Sequence, residues 1–140
     1  MKSYEIIETL GLVNPKLNTI NVFFICEAPG AFILALNHYI KTKTNIENYN
    51  WIAQSLHPKQ KFQNERGFGD DFKLMRNFKE RWDFGKTKTG DVTDIKNIKY
   101  YRDTYKDKNL HLVAGDCGIS STYGSDTESL SDKLHISQII

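Results

Sequence analysis

The chain is poor in the residues that build disulfide-rich or irregular scaffolds, with 2 cysteines and 3 prolines among 140 residues. Cys26 and Cys117 lie in apolar segments about 90 residues apart. That spacing predicts reduced thiols rather than a disulfide framework, and cysteine pairs alone make no zinc site. Long apolar runs are also missing. The longest, Ala31 to Leu36, is far below the roughly 20 residues of a membrane span, and no apolar signal core follows Met1 to Glu5. The expected chain is therefore intracellular, not secreted, with no membrane partner. Neither the G-x-G-x-x-G fingerprint nor the G-x-x-x-x-G-K phosphate loop occurs, so nucleotide phosphates are not the obvious ligand. His38, His57, His111 and His135 have no ligand spacing, and no metal is expected.

What remains is a foldable composition, 39% hydrophobic, 26% charged and 12% aromatic, at the length of one domain. The net charge of +2 conceals an asymmetry: His57 to Gly90 holds nine Lys/Arg against five Asp/Glu, interleaved with six aromatics. A basic field of this kind suits a phosphate-bearing partner, and a solvated face is the commoner cause. Residues 57–90 read as a basic, aromatic-rich insertion in a single domain spanning 1–140.

Apolar spacing predicts a helix over Lys2–Leu10, ended by Gly11 and Asn14-Pro15. Asn21–Cys26 is apolar on both faces, the pattern of a central strand, and Pro29-Gly30 separates it from a helix over Ala31–Ile40. A second strand is expected over Tyr49–Ser55. Leu74, Met75, Phe78 and Trp82 would share one side of a helical piece over Asp71–Trp82. Thr89–Thr93 reads as a strand end and turn, Asp94–Tyr105 as an exposed helix, Leu110–Gly115 as a buried strand, and a last helix runs from about Asp126. Alternation of this kind indicates an α/β fold with a mostly parallel sheet, whose ligands bind beyond the carboxyl ends of the strands. Cys26–Gly30, Gly90-Asp91 and Asp116–Gly118 fall at such ends. The Pro-Gly turn would also serve as a plain connection, and Asp91 as a helix cap. Asp116, directly after a buried strand, is rarely needed for packing.

Four segments together carry a resemblance: Phe23–Phe32 (FFICEAPGAF), Asp71–Leu74 (DFKL), Thr89–Thr93 (TGDVT) with Asn97-Ile98, and His111–Gly118 (HLVAGDCG). In order and spacing they are similar to the FtsJ-like methyltransferases, nearest the eukaryotic and viral branch that methylates the ribose 2′-hydroxyl beside the mRNA cap. The resemblance implies a Rossmann-like fold whose sheet is represented by its N-terminal portion, and S-adenosyl-L-methionine as cofactor. Cofactor contacts would come from Cys26, Glu27, Ala28, Pro29, Gly30, Ala31, Phe32, Asp91, Val92 and Asp116. Of the family's Lys-Asp-Lys-Glu tetrad, Asp116 matches the aspartate and Lys2 resembles the first lysine, with Lys16 a weaker competitor. The second lysine and the glutamate have no match, since only 24 residues follow Asp116. The resemblance thus implies a truncated domain, doubtful in activity alone.

Two departures stand out. Phe24 occupies the position of a common acidic residue, with Glu27 displaced toward the turn, and Ala31 replaces a usual second glycine. Capped mRNA is the expected partner, through Lys59, Lys61, Arg66, Arg76, Lys86 and Lys88, in the cytoplasm, nucleus or a viral factory. A ribosomal RNA 2′-O-methyltransferase and a non-catalytic S-adenosylmethionine or RNA-binding module are the alternatives. If further strands are missing beside Leu110–Gly115, self-association through that edge is expected.

Overall fold

The structure, a computed structural model, describes residues 2–58 and 70–118. Helix α1 (Lys2–Leu10) precedes strand β1 (Thr19–Ile25), helix α2 (Ala31–Lys43) and strand β2 (Asn48–Gln54). The short helix α3 (Leu74–Asn77), a 3₁₀ turn (Lys79–Arg81), strand β3 (Trp82–Asp83), helix α4 (Ile95–Tyr105) and strand β4 (Leu112–Gly115) follow. The sheet runs β3-β2-β1-β4 with every pairing parallel. This is the expected α/β architecture.

Strand β1 explains the core. Ile20, Val22 and Phe24, each about 1% exposed, join Ile33, Leu36 and Ile40 of α2 in one aliphatic cluster. Phe23 belongs to the opposite face, where its ring stacks on Tyr105 of α4 at 4.6 Å and meets Tyr101 at 5.9 Å. The apolar run Val22–Ile25 within β1 thereby has a layer on each of its faces. Each such side chain contributes roughly 1.5–3 kcal/mol of burial. Helix α1 leans on α2 through Tyr4, which meets the rings of His38 and Tyr39.

The structure corrects four sequence expectations. The helix over Asp71–Trp82 is only α3 and a 3₁₀ turn, because Phe78 leaves helical geometry (φ −131°, ψ 52°) and Trp82 enters β3 beside Ala53. The turn at Thr89–Thr93 contains no strand; the third strand lies earlier, at Trp82–Asp83. Strand β4 is shorter than Leu110–Gly115 and is not buried: Val113 is 52% exposed, since among the described residues β4 pairs with β1 alone. Cys26 and Cys117 are joined in a disulfide rather than reduced, because parallel pairing of Ile25 with Gly115 brings the two strand ends together and leaves their Cα atoms 5.0 Å apart. The helix from Asp126 lies outside the described residues.

Replacing Phe24 by alanine leaves a cavity in the α2 layer and should cost about 3–5 kcal/mol. A urea midpoint that falls with an unchanged slope is the expected result; a loss below about 1 kcal/mol would show that this layer does not hold the sheet.

Candidate functional site at the carboxyl ends of the strands

Beyond β1 the chain turns sharply. Cys26 adopts a left-handed φ of 57°, the Ala28-Pro29 bond is cis, and the Gly30 N–H donates to the Glu27 carbonyl at 2.7 Å. Gly30, at φ 113°, is the N-cap of α2 and has no side chain to cap it. A Cβ there would come within 2.3 Å of Leu74 Cδ1 and would hold a conformation that side chains resist.

Glu27 takes the capping role. Its Oε1 accepts the N–H groups of Phe32 at 2.8 Å and Ile33 at 3.1 Å, placing a carboxyl at the positive end of α2. Its Oε2 is buried with no hydrogen-bond partner among the described residues, and the residue is 4% exposed. Burial pushes the carboxyl up to about 7; the two helix N–H donors oppose that rise, and the charge of Asp116 adds to it.

The second loop is fixed on the first by β2. Fully buried Gln54 accepts the Cys26 N–H on Oε1 at 2.9 Å and donates from Nε2 to the Gly90 carbonyl at 2.5 Å. Its own carbonyl accepts the Glu27 N–H at 3.0 Å. Gly90, at φ 69°, lies so close to β2 that a Cβ would sit 1.8 Å from the Ser55 carbonyl oxygen. Asp91 follows, half-buried, its Oδ1 accepting the Thr93 N–H at 2.8 Å and the Thr93 hydroxyl at 2.7 Å. The cap of α4 is Asp94, which accepts the Lys96 N–H. Val92 is buried. Fully buried Asn97 holds the loop from below, donating to the Asp91 carbonyl and accepting from Thr87.

The third element is Asp116, exposed just beyond β4 and one residue before the cysteine bonded to Cys26. Three loop segments, 26–32, 90–92 and 115–118, therefore meet at one sheet edge. Their charged residues are Glu27, Asp91 and Asp116, all acidic. The arrangement suits a cation far better than a phosphate.

The other predicted site residues are dispersed. Lys2 opens α1, and only its backbone is described. Arg76, on α3, borders a cleft of about 410 Å³ shared with His57, Lys79, Trp82 and Phe84. Lys86 and Lys88 are exposed on the segment between β3 and Gly90. Lys59, Lys61 and Arg66 lie outside the described residues. Sequence reasoning missed the Arg81 guanidinium, 5.1 Å above the Trp51 ring, as well as Gln54 and the structural part played by Asn97. No group of three metal-ligating side chains is found among the described residues.

With this geometry in view, the relatives can be placed. The chain is 31% identical over 141 residues to the mouse cap-specific mRNA (nucleoside-2'-O-)-methyltransferase 2, which covers 99% of this chain and 18% of the mouse protein. It is 32% identical over 151 residues to a probable methyltransferase of African swine fever virus, across 100% of this chain and 34% of that protein. The chain is a homologue of one segment of these methyltransferases. An uncharacterized protein of Acanthamoeba polyphaga mimivirus is 31% identical over 144 residues, again across the whole chain and 18% of its own length. The chain thus spans about a fifth to a third of the length of these relatives. No protein-family model and no solved structure matches it. Methyltransferase homology implies a methyl donor as cofactor.

The folded chain keeps the Glu27 proton to about pH 7, whereas an ordinary carboxyl releases it near 4.5. Glu27 therefore makes stability fall as pH rises between those values and level off above them. Glu27→Gln is expected to flatten that part of a curve of urea midpoint against pH. An unaltered slope would remove Glu27 as the buried titrating group.

Proposed function

We propose that this chain forms the methyl-donor part of an RNA ribose 2′-O-methyltransferase acting beside the mRNA cap, with S-adenosyl-L-methionine as the donor. The observation that carries the reading is the convergence of Glu27, Asp91 and Asp116, without a basic residue, in a chain homologous throughout to cap methyltransferases. S-adenosylmethionine is cationic at its sulfonium and amino groups, and an acidic rim with a buried, unpartnered carboxyl oxygen fits it.

The loop from Cys26 to Phe32, including Ala28, Pro29 and Ala31, would hold the methionine portion. Asp91 and Val92 would lie beside the adenine. When bound, the donor supplies an electrophilic methyl group. A ribose hydroxyl must reach that methyl in line and lose its proton, so positioning and a proton acceptor are the protein's contributions. Asp116, exposed at the tip of β4, is assigned to orient the acceptor, and Lys2 is this chain's assigned lysine. Arg76, Lys86 and Lys88, with Lys59, Lys61 and Arg66, supply the field for RNA phosphates.

Calorimetric titration tests the donor site: S-adenosylmethionine should bind the chain, and Asp91→Ala should weaken binding at least tenfold. Absence of binding below millimolar concentration would overturn the reading. The RNA assignment has a separate test, since each phosphate contact to single-stranded RNA contributes about 0.7 to the slope of log affinity against log salt. Joint replacement of Arg76, Lys86 and Lys88 by alanine should reduce that slope by about 2 on a short capped RNA. An unchanged slope would place the RNA elsewhere.

A further inference from the structure

Gln54 has no charge, no exposure and no place among the candidate contacts, yet it bonds to both the loop after β1 and the loop at Gly90. Its carboxamide accepts from Cys26 after β1 and donates to Gly90 immediately before Asp91, while its main chain receives the Glu27 N–H. A carboxamide meets both demands at once. A leucine would fill the space and leave a buried N–H and a buried C=O unpaired, and a glutamate could serve both only while protonated, having nothing to offer Gly90 once ionised.

We propose that Gln54 is a positioning residue for donor binding, a buried tie that fixes the separation between the Cys26–Phe32 loop and the Asp91 loop so that one ligand can bridge them. The inference rests on the proposed donor site. Neither loop has regular structure of its own in the tied stretch, and Cys26 there holds a left-handed φ of 57° that a side chain disfavours. Loops held in such conformations keep them only when their surroundings over-determine them. Around Gly90 that support comes from β2 and the residues after it: the Ser55 carbonyl blocks any Cβ, and the His57 N–H holds the Thr89 carbonyl at 2.8 Å. Gln54 is the member that reaches both loops. Loss of either side-chain bond would free the two halves of the donor site to move independently, and a ligand spanning them would bear the cost of ordering them.

The test compares Gln54→Leu and Gln54→Glu with Ile40→Ala, a buried core substitution in the last part of α2 outside the tied loops. All are measured as the complete chain at a temperature where circular dichroism shows each to be folded. Gln54→Leu should raise the S-adenosylmethionine Kd at least tenfold, and Gln54→Glu should raise it by a similar or smaller factor. Ile40→Ala, even with an equal loss of Tm, should leave Kd within twofold. Amide hydrogen exchange without any ligand provides the second readout: protection of residues 26–30 and 90–94 should fall at least tenfold in the Gln54 variants and stay unchanged in Ile40→Ala. If the native chain binds no donor, the proposed function fails, while the exchange measurement still tests the tie. Equal donor affinity in Gln54→Leu and the native chain, equal exchange in both, or equal weakening in Ile40→Ala would each overturn the positioning role.

Discussion

The burial of β1 on both faces is the constraint from which the site follows. The apolar run Val22–Ile25 of β1 needs a layer on each side, and here the layers differ in chemistry, aliphatic from α2 and aromatic from α4. Because Phe23 is clamped by Tyr101 and Tyr105, α4 is fixed relative to β1. Those tyrosines also reach Asp83 at the end of β3, with the Tyr105 hydroxyl 2.8 Å from its carboxylate. One packing decision thereby sets where the helix after Asp91 begins and where the loop after β1 emerges.

Electrostatics then distinguishes the site from the rest of the molecule. Among the described residues, Lys86 and Lys88 lie on the segment after β3 and Arg76 on α3, whereas the charged residues of segments 26–32, 90–92 and 115–118 are all acids. Glu27 is the pivotal case, because one oxygen answers the unpaired N–H groups of α2 and the other is buried without a partner. A buried carboxyl in that state is held near neutrality by desolvation, and a cation beside it would favour ionisation. Phe24 serves the core, and Glu27 caps α2 from a buried position.

Much of this was legible in the sequence, for identifiable reasons. Helix α1 was read to the residue, and β1, α2, β2 and α4 to within a few, because their apolar periods are strong and Gly11, Pro29-Gly30 and Asp94 punctuate them. The DFKL–Trp82 stretch failed because Leu74, Met75, Phe78 and Trp82 have helical spacing but serve two different elements. The cysteines misled because 91 residues of separation carry no information about strand register. Of the candidate site, Glu27 and Asp116 were visible as acids after apolar runs, and Asp91 as an acid after a turn glycine. Their supports were not: Gln54 and Asn97 are polar residues at positions that a polarity pattern assigns to the surface, and both have no exposure.

That blindness has a physical origin which bears on how such sites are built. In a parallel sheet every strand ends at the same edge, so unpaired backbone groups of several loops accumulate there and must be satisfied without water. A side chain bearing both a donor and an acceptor answers two of them at once, and Gln54 and Asn97 are the residues that do so here. Charged side chains at those two places would be desolvated without a countercharge, leaving the acids for the rim. The division of labour follows: buried amides tie the loops together, while Asp91 and Asp116 retain solvent access, half-buried and exposed.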